Sequence, residues 1–279
     1  MGNMICKSNL AEIQSLVQIK SLRKFKPIFS QPKWIINNEF VLKVWGEDQY
    51  RHYEKEHYML HFLSDKLKNI PKVKCSNFPY ILMSKLSGNT LNDDWHKLSL
   101  SKKECFIIQI CEFIDLISKQ DYSSSKRIFP KIKNWQKWVK DQFFSNLDIA
   151  ITNNLIPKSE FDELKNVFLQ NEYALKEQKM QIMYYDIHFG NFLIENDSIS
   201  GILDFERVDW VSIDYCLNWI KRMDSHSEEY SIKKDETSIF NLFKKHYPSL
   251  FEFEHIEERL LIYEMLSDLR IKINKKKAS

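Results

Sequence analysis

An α+β fold is predicted, with a sheet-bearing stretch over the first eighty-odd residues and helices dominating the remainder. Three observations carry this. Residues 24–45, "KFKPIFSQPKWIINNEFVLKVW", are rich in β-branched and aromatic residues and centre on Asn37-Asn38, a pair suited to a tight turn between two strands. Beyond Gly88, apolar residues recur at helical spacing. Only residues 181–208 interrupt that texture, with three short apolar runs that read as strands.

Taken in order, residues 10–22 read as a short helix, and the hairpin around Asn37-Asn38 follows. Residues 50–67 then read as a helix, because Met59, Leu60, Phe62, Leu63 and Leu67 recur at helical spacing. In "FPYILMSKLSGNTL" an apolar strand core ends at Ser87-Gly88, a turn signal. Ser101 with Glu104 forms a capping box, and Phe106, Ile110, Phe113, Ile114 and Ile117 share the face of the helix it would open. Residues 134–151, 159–174 and 257–271 have the same periodicity. The interrupting segment reads strand, loop, strand, a turn at Asn196-Asp197, and a last strand in "SISGILDF". The basic end, residues 272–277, reads as a frayed and solvated tail.

Composition narrows the function. The 279 residues are 43% hydrophobic, enough for a substantial core. With 41 basic against 38 acidic residues the charge is mixed, so no nucleic-acid partner is expected. Five Cys form no C-x-x-C pair, which argues for a reduced compartment and against zinc. No run is long enough to span a membrane, and the first residues show neither a signal-peptide pattern nor a myristoylation signal; a soluble cytoplasmic protein is expected, with no membrane partner. Nothing in the sequence fixes an oligomeric state.

The chemistry concentrates in "YYDIHFGNFLI", residues 184–194, where two apolar runs are broken by Asp186, His188, Gly190 and Asn191. Asp204 follows in "GILDFE", and a hairpin returning it beside Asp186 and Asn191 would gather two carboxylates and an amide oxygen. Hard oxygen donors with room for water are what Mg²⁺ takes, usually beside substrate phosphates. Around them, His188 reads as a structural hydrogen-bonding residue, Phe205 as core, and Trp135 with Trp138 as a buried helical stripe. Asp224, Glu228, Glu229, Asp235 and Glu236 read as a solvated acidic loop, or as a rim attracting cations.

At these residues the chain resembles the aminoglycoside phosphotransferase and choline kinase superfamily of small-molecule kinases. Its catalytic loop, H-G-D-x-H-x-x-N, corresponds to the stretch from Tyr184 to Asn191, and its I-D-F/W metal segment to Leu203-Asp204-Phe205. The resemblance extends over about residues 34–217, with four motifs in the family's order. It implies a two-lobed protein-kinase-like fold: a small antiparallel-sheet N-lobe that binds nucleotide, residues 1–85, and a mostly helical C-lobe for catalysis and substrate, residues 86–279. Asp186 would orient the acceptor hydroxyl and take its proton, while Asn191 and Asp204 would hold Mg²⁺ against the phosphates of ATP or GTP. Lys43, in the apolar "FVLKVW", would meet the phosphates. Its partner would be Glu56, placed as in E-x-x-x-L-x-x-L, with Glu54 as second choice. "YILMSKLSGNTL" resembles the hinge, where backbone groups at Ser84 and Leu86 would meet the adenine edge.

Tyr184 and Tyr185 stand where the family has His and Gly, and the expected phosphate-covering stretch, residues 27–36, contains no Gly. The family's later Asp corresponds to Asp209 or Asp214. The implied function is ATP- or GTP-dependent phosphorylation of a hydroxyl on a small molecule, first an aminoglycoside-type antibiotic and hence antibiotic resistance. The alternatives are choline or ethanolamine, held by aromatic faces such as Trp210, Tyr215 and Trp219, and a degenerate protein that binds nucleotide without turnover.

Overall fold

The computed structural model describes residues 7–25, 33–228, 230, 232 and 236–278. Its first elements are α1 (Lys7–Leu16) and β1 (Leu22–Phe25). The helix expected over residues 10–22 is therefore cut short, and the cause lies elsewhere in the chain. The Asn37 side chain accepts the N–H groups of Lys20 and Ser21 at 2.8 and 3.0 Å and donates to the Gln18 carbonyl at 2.8 Å. Backbone groups held in this way cannot continue a helical ladder.

Next come β2 (Lys33–Ile36), β3 (Phe40–Val44), α2 (Tyr50–Leu63), β4 (Val73–Asn77) and β5 (Tyr80–Ser84). The hairpin between β2 and β3 forms as expected, with Asn37 and Asn38 at φ 54° and 58°, the left-handed region that Asn visits more readily than most residues. The five strands build one antiparallel sheet in the order β1-β2-β3-β5-β4. Alternation along the strands sorts the side chains. Trp34, Ile36, Leu42, Val44, Tyr80 and Leu82 join Ile13 of α1 and Val17 just beyond it in one apolar cluster. Lys43 points to the opposite face, and Lys33 lies directly across from it in register. On that side α2 buries Tyr53, Glu56, Met59, Leu60 and Leu63.

The remaining elements are β6 (Asn89–Thr90), α3 (Leu91–Asp94), α4 (Leu100–Ser118), α5 (Trp135–Thr152), α6 (Lys158–Asn171), β7 (Met180–Tyr184), β8 (Phe192–Glu195), β9 (Ser198–Ile202), β10 (Val208–Ser212), α7 (Leu217–Ser225), α8 (Ile239–His246) and α9 (Ile256–Ala278). The chain clusters into two compact units. One comprises Met1–Gln109, His188–Val208 and Tyr230–Lys233; the other comprises Ile110–Ile187, Asp209–Glu229 and Lys234–Ser279.

In the first unit β6, β8 and β9 form a small sheet. Gly88 makes β6 possible: its φ is 109°, and a Cβ there would stand 2.7 Å from the Ile194 carbonyl oxygen. Asn196 and Asp197, at φ 51° and 61°, turn β8 into β9 as expected. The start of α4 is corrected by two residues, since Ser99 rather than Ser101 accepts the Lys102 N–H through its hydroxyl. The apolar face expected for that helix is buried throughout.

In the second unit α5 packs on α6 and α9, and α7 on α8 and α9. Asn134 caps α5 by accepting the Lys137 N–H at 2.8 Å. β10, paired with β7, and helices α7 and α8 are additions that the sequence pattern does not announce. The basic end is corrected too: α9 continues through Ala278, with Lys272 bonded to Glu160 and Lys276 to the Asn153 carbonyl. At the centre of this unit the guanidinium of Arg259 donates to both oxygens of Asp214 at 2.7 and 2.9 Å and to the carbonyls of Ala174 and Glu177. Tyr263 donates to Asp214 at 3.0 Å and accepts from Trp135 at 2.7 Å.

Candidate active site

An ammonium group on an apolar strand must be paired or pay several kcal/mol of desolvation. Lys43 is only 1% exposed. Its Nζ lies 3.2 Å from Glu56 Oε2, 2.7 Å from Asp204 Oδ1 and 3.1 Å from Glu206 Oε2. Lys33 Nζ reaches the two Asp204 oxygens at 3.1 and 3.0 Å. Glu56 also accepts the Glu206 backbone N–H at 2.9 Å, and Trp45 Nε1 donates to Glu206 at 3.0 Å. The two long-range partners, Asp204 and Glu206, come from the turn that follows β9 and thus dock that turn on α2 and β3.

Two ammonium groups face three carboxylates here, and this imbalance sets the proton affinities. Burial alone would push Lys43 down, but Asp204, Glu206 and Glu56 together hold it well above its ordinary value. Burial works against ionised Asp204 as well, yet Lys33 and Lys43 keep its carboxyl far below the usual range. Glu206 is also lowered: burial opposes its ionisation and Lys43 outweighs that. The surplus negative charge falls on Glu56, which burial, opposed by Lys43 and reinforced by Asp204 and Glu206, pushes up to about 7.

A measurable pH dependence follows. Between its ordinary 4.5 and about 7, Glu56 binds a proton in the folded state and not in the unfolded one, so its contribution to stability falls as pH rises. Asp204 and Glu206, both depressed, do not oppose it, because their contribution is lost only at lower pH. The slope is at most about 1.4 kcal/mol per pH unit for one proton. Followed from about pH 5 to 7, the urea midpoint of the wild type is expected to fall relative to that of Glu56→Gln as pH rises. Parallel pH profiles would place the surplus charge elsewhere.

Asp204 adopts φ 57° and ψ 60°, a left-handed conformation that an Asp tolerates at some cost. Just before it, Leu203 N–H donates to the Asn191 carbonyl at 2.9 Å, so the stretch bearing Asp204 is tied to Asn191. Asn191 is 2% exposed. A carboxylate and an amide on two tethered segments are hard oxygen donors that fit Mg²⁺, with its other positions left for phosphates and water. Among the described residues no group of three or more His, Cys, Asp or Glu is placed to hold a metal ion.

The other expected residues are distributed as follows. Ser84 ends β5; its N–H donates to the Lys72 carbonyl and its hydroxyl accepts the Lys72 N–H, both at 2.9 Å. Lys85 N–H donates to the Glu39 carbonyl at 2.7 Å, so of the hinge amides Leu86 is the one outside these pairings. Asp186 lies in the second unit, half-buried, two residues beyond β7. Tyr184 packs edge-on against Phe113 and Tyr185 packs tilted on Tyr215, so two aromatic anchors precede Asp186 where the family motif has His and Gly. Asp214 is fully buried on Arg259, whereas Asp209 is half-buried beside the Trp210 N–H.

Residues 27–32 of the expected phosphate-covering stretch lie outside the described residues, as do Glu229 and Asp235 of the acidic segment. Asp224 of that segment is a helix cap: its carboxylate accepts from Ser238 Oγ and from the N–H groups of Ile239 and Phe240. Trp210 carries the Lys131 ammonium 4.5 Å from its ring centre. Sequence reasoning missed Lys33 and Glu206. Lys33 carried no local signal: a two-residue turn at Asn37-Asn38 would set residue 33 against residue 42, and it is the three-residue loop 37–39 that brings it opposite Lys43.

The family model described as phosphotransferase enzyme family (APH) matches residues 22–215. No curated protein matches the sequence. Among solved structures, the gentamicin complex of APH(2″)-IIa is 16% identical, with 98% of this chain and 97% of that chain covered and a TM-score of 0.72. The streptomycin–ATP ternary complex of APH(2″)-IIa is 17% identical, with coverages of 98% and 91% and a TM-score of 0.74. ADP-bound aminoglycoside phosphotransferase APH(2″)-Ib is 16% identical, with coverages of 96% and 98% and a TM-score of 0.67. At such identities the likeness establishes a shared kinase-like fold.

Proposed function

The chain belongs to the phosphotransferase enzyme family, whose model spans residues 22–215, and from that premise we propose that this small-molecule kinase transfers the γ-phosphoryl group of ATP or GTP to a hydroxyl of an aminoglycoside-type antibiotic. The observation that carries the reading is the buried Lys43 ammonium, bridged at once to Glu56 on α2 and to Asp204 beyond β9. In this reading Lys43 meets the nucleotide phosphates and Glu56 fixes its position. Backbone groups at Ser84 and Leu86 line the adenine edge. Asn191 and Asp204 hold Mg²⁺, which when bound supplies charge neutralisation at the phosphates. Asp186 orients the acceptor hydroxyl and accepts its proton. Residues 1–85 serve the nucleotide, and residues 86–279 serve catalysis and acceptor. The protein then acts in the cytoplasm and confers resistance; no helix among the described residues is long and apolar enough to cross a membrane.

Because Glu56 works through Lys43, their effects are coupled. Lys43→Ala is expected to raise the nucleotide KM and lower kcat, and Glu56→Ala to do so more mildly. The double variant is expected to lose less than the sum, by about 0.5–3 kcal/mol of coupling. Strict additivity in steady-state kinetics would mean that the pair does not act as a unit.

The acceptor class is tested by assaying phosphoryl incorporation into a panel of aminoglycosides beside choline and ethanolamine. Aminoglycosides carry several ammonium groups, so the acceptor KM is expected to rise between low and physiological salt, as partly exposed charge pairs are screened. Support for the antibiotic class comes from the gentamicin and streptomycin bound by its structural neighbours. Incorporation into choline alone, with a KM flat in salt and raised by Trp219→Ala, would replace the antibiotic by a quaternary amine.

A further inference from the structure

We propose that Lys33 is an exchangeable cation: it neutralises Asp204 in the nucleotide-free protein and passes to a nucleotide phosphate when Asp204 takes a divalent ion. This deepens the phosphotransfer reading and rests on it. Lys33 and Lys43 sit directly opposite on β2 and β3. Like charges in that relation repel unless an anion lies between them. The anion is Asp204, held by Lys33 at 3.0 and 3.1 Å and by Lys43 at 2.7 Å, so both of its oxygens are engaged. A carboxylate clamped in this way has to release one ammonium before it can ligate a metal.

The surroundings identify which one leaves. The Lys43 side chain is 2% exposed and is also held by Glu56 and Glu206, whereas the Lys33 side chain keeps 16% exposure. Lys33 therefore swings, and the incoming phosphates offer its ammonium a new anion. The sequence of residues 27–36 contains no Gly, the residue that best lets a backbone approach a phosphate, and a side-chain cation takes over part of the task. Charge stays balanced through the exchange: the divalent ion takes the carboxylate as Lys33 takes the phosphate.

The test titrates Mn²⁺, followed by electron paramagnetic resonance, into nucleotide-free protein, and separately measures binding of Mn²⁺ with a non-hydrolysable ATP analogue by calorimetry. Lys33→Met is expected to bind Mn²⁺ alone about tenfold more tightly than wild type and the metal–nucleotide about tenfold more weakly, the scale of one charge-assisted contact. Lys33→Arg keeps the charge and is expected to match wild type in both. Opposite shifts of this kind do not arise from a merely structural lysine, and Lys33→Gln serves as the second uncharged variant if the Met variant misfolds. Mn²⁺ affinity unchanged or weakened in the uncharged variants overturns the exchange while leaving the phosphotransfer reading intact. Failure of the wild type to bind the metal–nucleotide overturns both.

Discussion

Asp186→Asn is expected to lower kcat by about 10²–10⁴ and to leave nucleotide affinity almost unchanged. The substitution preserves size and leaves an oxygen that can still accept a hydrogen bond, so the acceptor hydroxyl is still oriented. In the proposed mechanism what would be lost is the capacity to take its proton as the bond to phosphorus forms, an effect that belongs to the transition state and therefore falls on kcat. The local frame should survive, because Tyr184 is fully buried against Phe113 and Tyr185 packs on Tyr215 independently of the carboxylate. Pre-steady-state turnover with saturating acceptor measures the effect. A variant that keeps near wild-type kcat would require another proton acceptor.

Arg259→Met destabilises the second unit by about 3–5 kcal/mol, the usual cost of leaving one partner of a buried ion pair alone. Arg259 and Asp214 are both 0% exposed, and the guanidinium serves two chain segments at once: Ser212 with Asp214, and the carbonyls at Ala174 and Glu177. Removing it strands a carboxylate that keeps Tyr263 and Ser212 as donors. Replacing Asp214 with Leu in the same protein should recover much of the loss, because the stranded charge goes too. Urea denaturation at constant m reads both changes. A loss under about 1 kcal/mol in Arg259→Met would mean that water reaches the site and solvates Asp214.

These two residues also mark what the sequence makes legible. Asp186 stands out locally, as a polar break between apolar runs, and the family resemblance supplies its role. Asp214 could not be separated from Asp209 in advance, because the partner that distinguishes it, Arg259, is 45 residues away. The β2–β3 hairpin was legible since two Asn residues supply its positive φ values within the turn itself. The end of α1 was not, since Asn37 captures that backbone from 16 to 19 residues further along. The Lys43–Glu56 pair was expected from the family resemblance, with Glu54 as second choice, whereas Lys33 and Glu206 join through separations of 171 and 161 residues that no local pattern encodes. Asp224 read as part of a solvated acidic loop, or of a cation-attracting rim, because its capping of α8 depends on Ser238, 14 residues on. The basic end looked solvated by composition, yet helix α9 carries two of its lysines to partners on other segments.

The most direct measurement follows γ-labelled ATP and GTP through incubation with Mg²⁺ and a pool of aminoglycosides, with wild type and Asp186→Asn side by side, and separates labelled antibiotic from inorganic phosphate. Label is expected in the antibiotic fraction with wild type, dependent on Mg²⁺, and reduced by about 10²-fold or more with the variant. Label that appears only as inorganic phosphate, or that reaches the antibiotic equally with both proteins, would contradict phosphoryl transfer through Asp186.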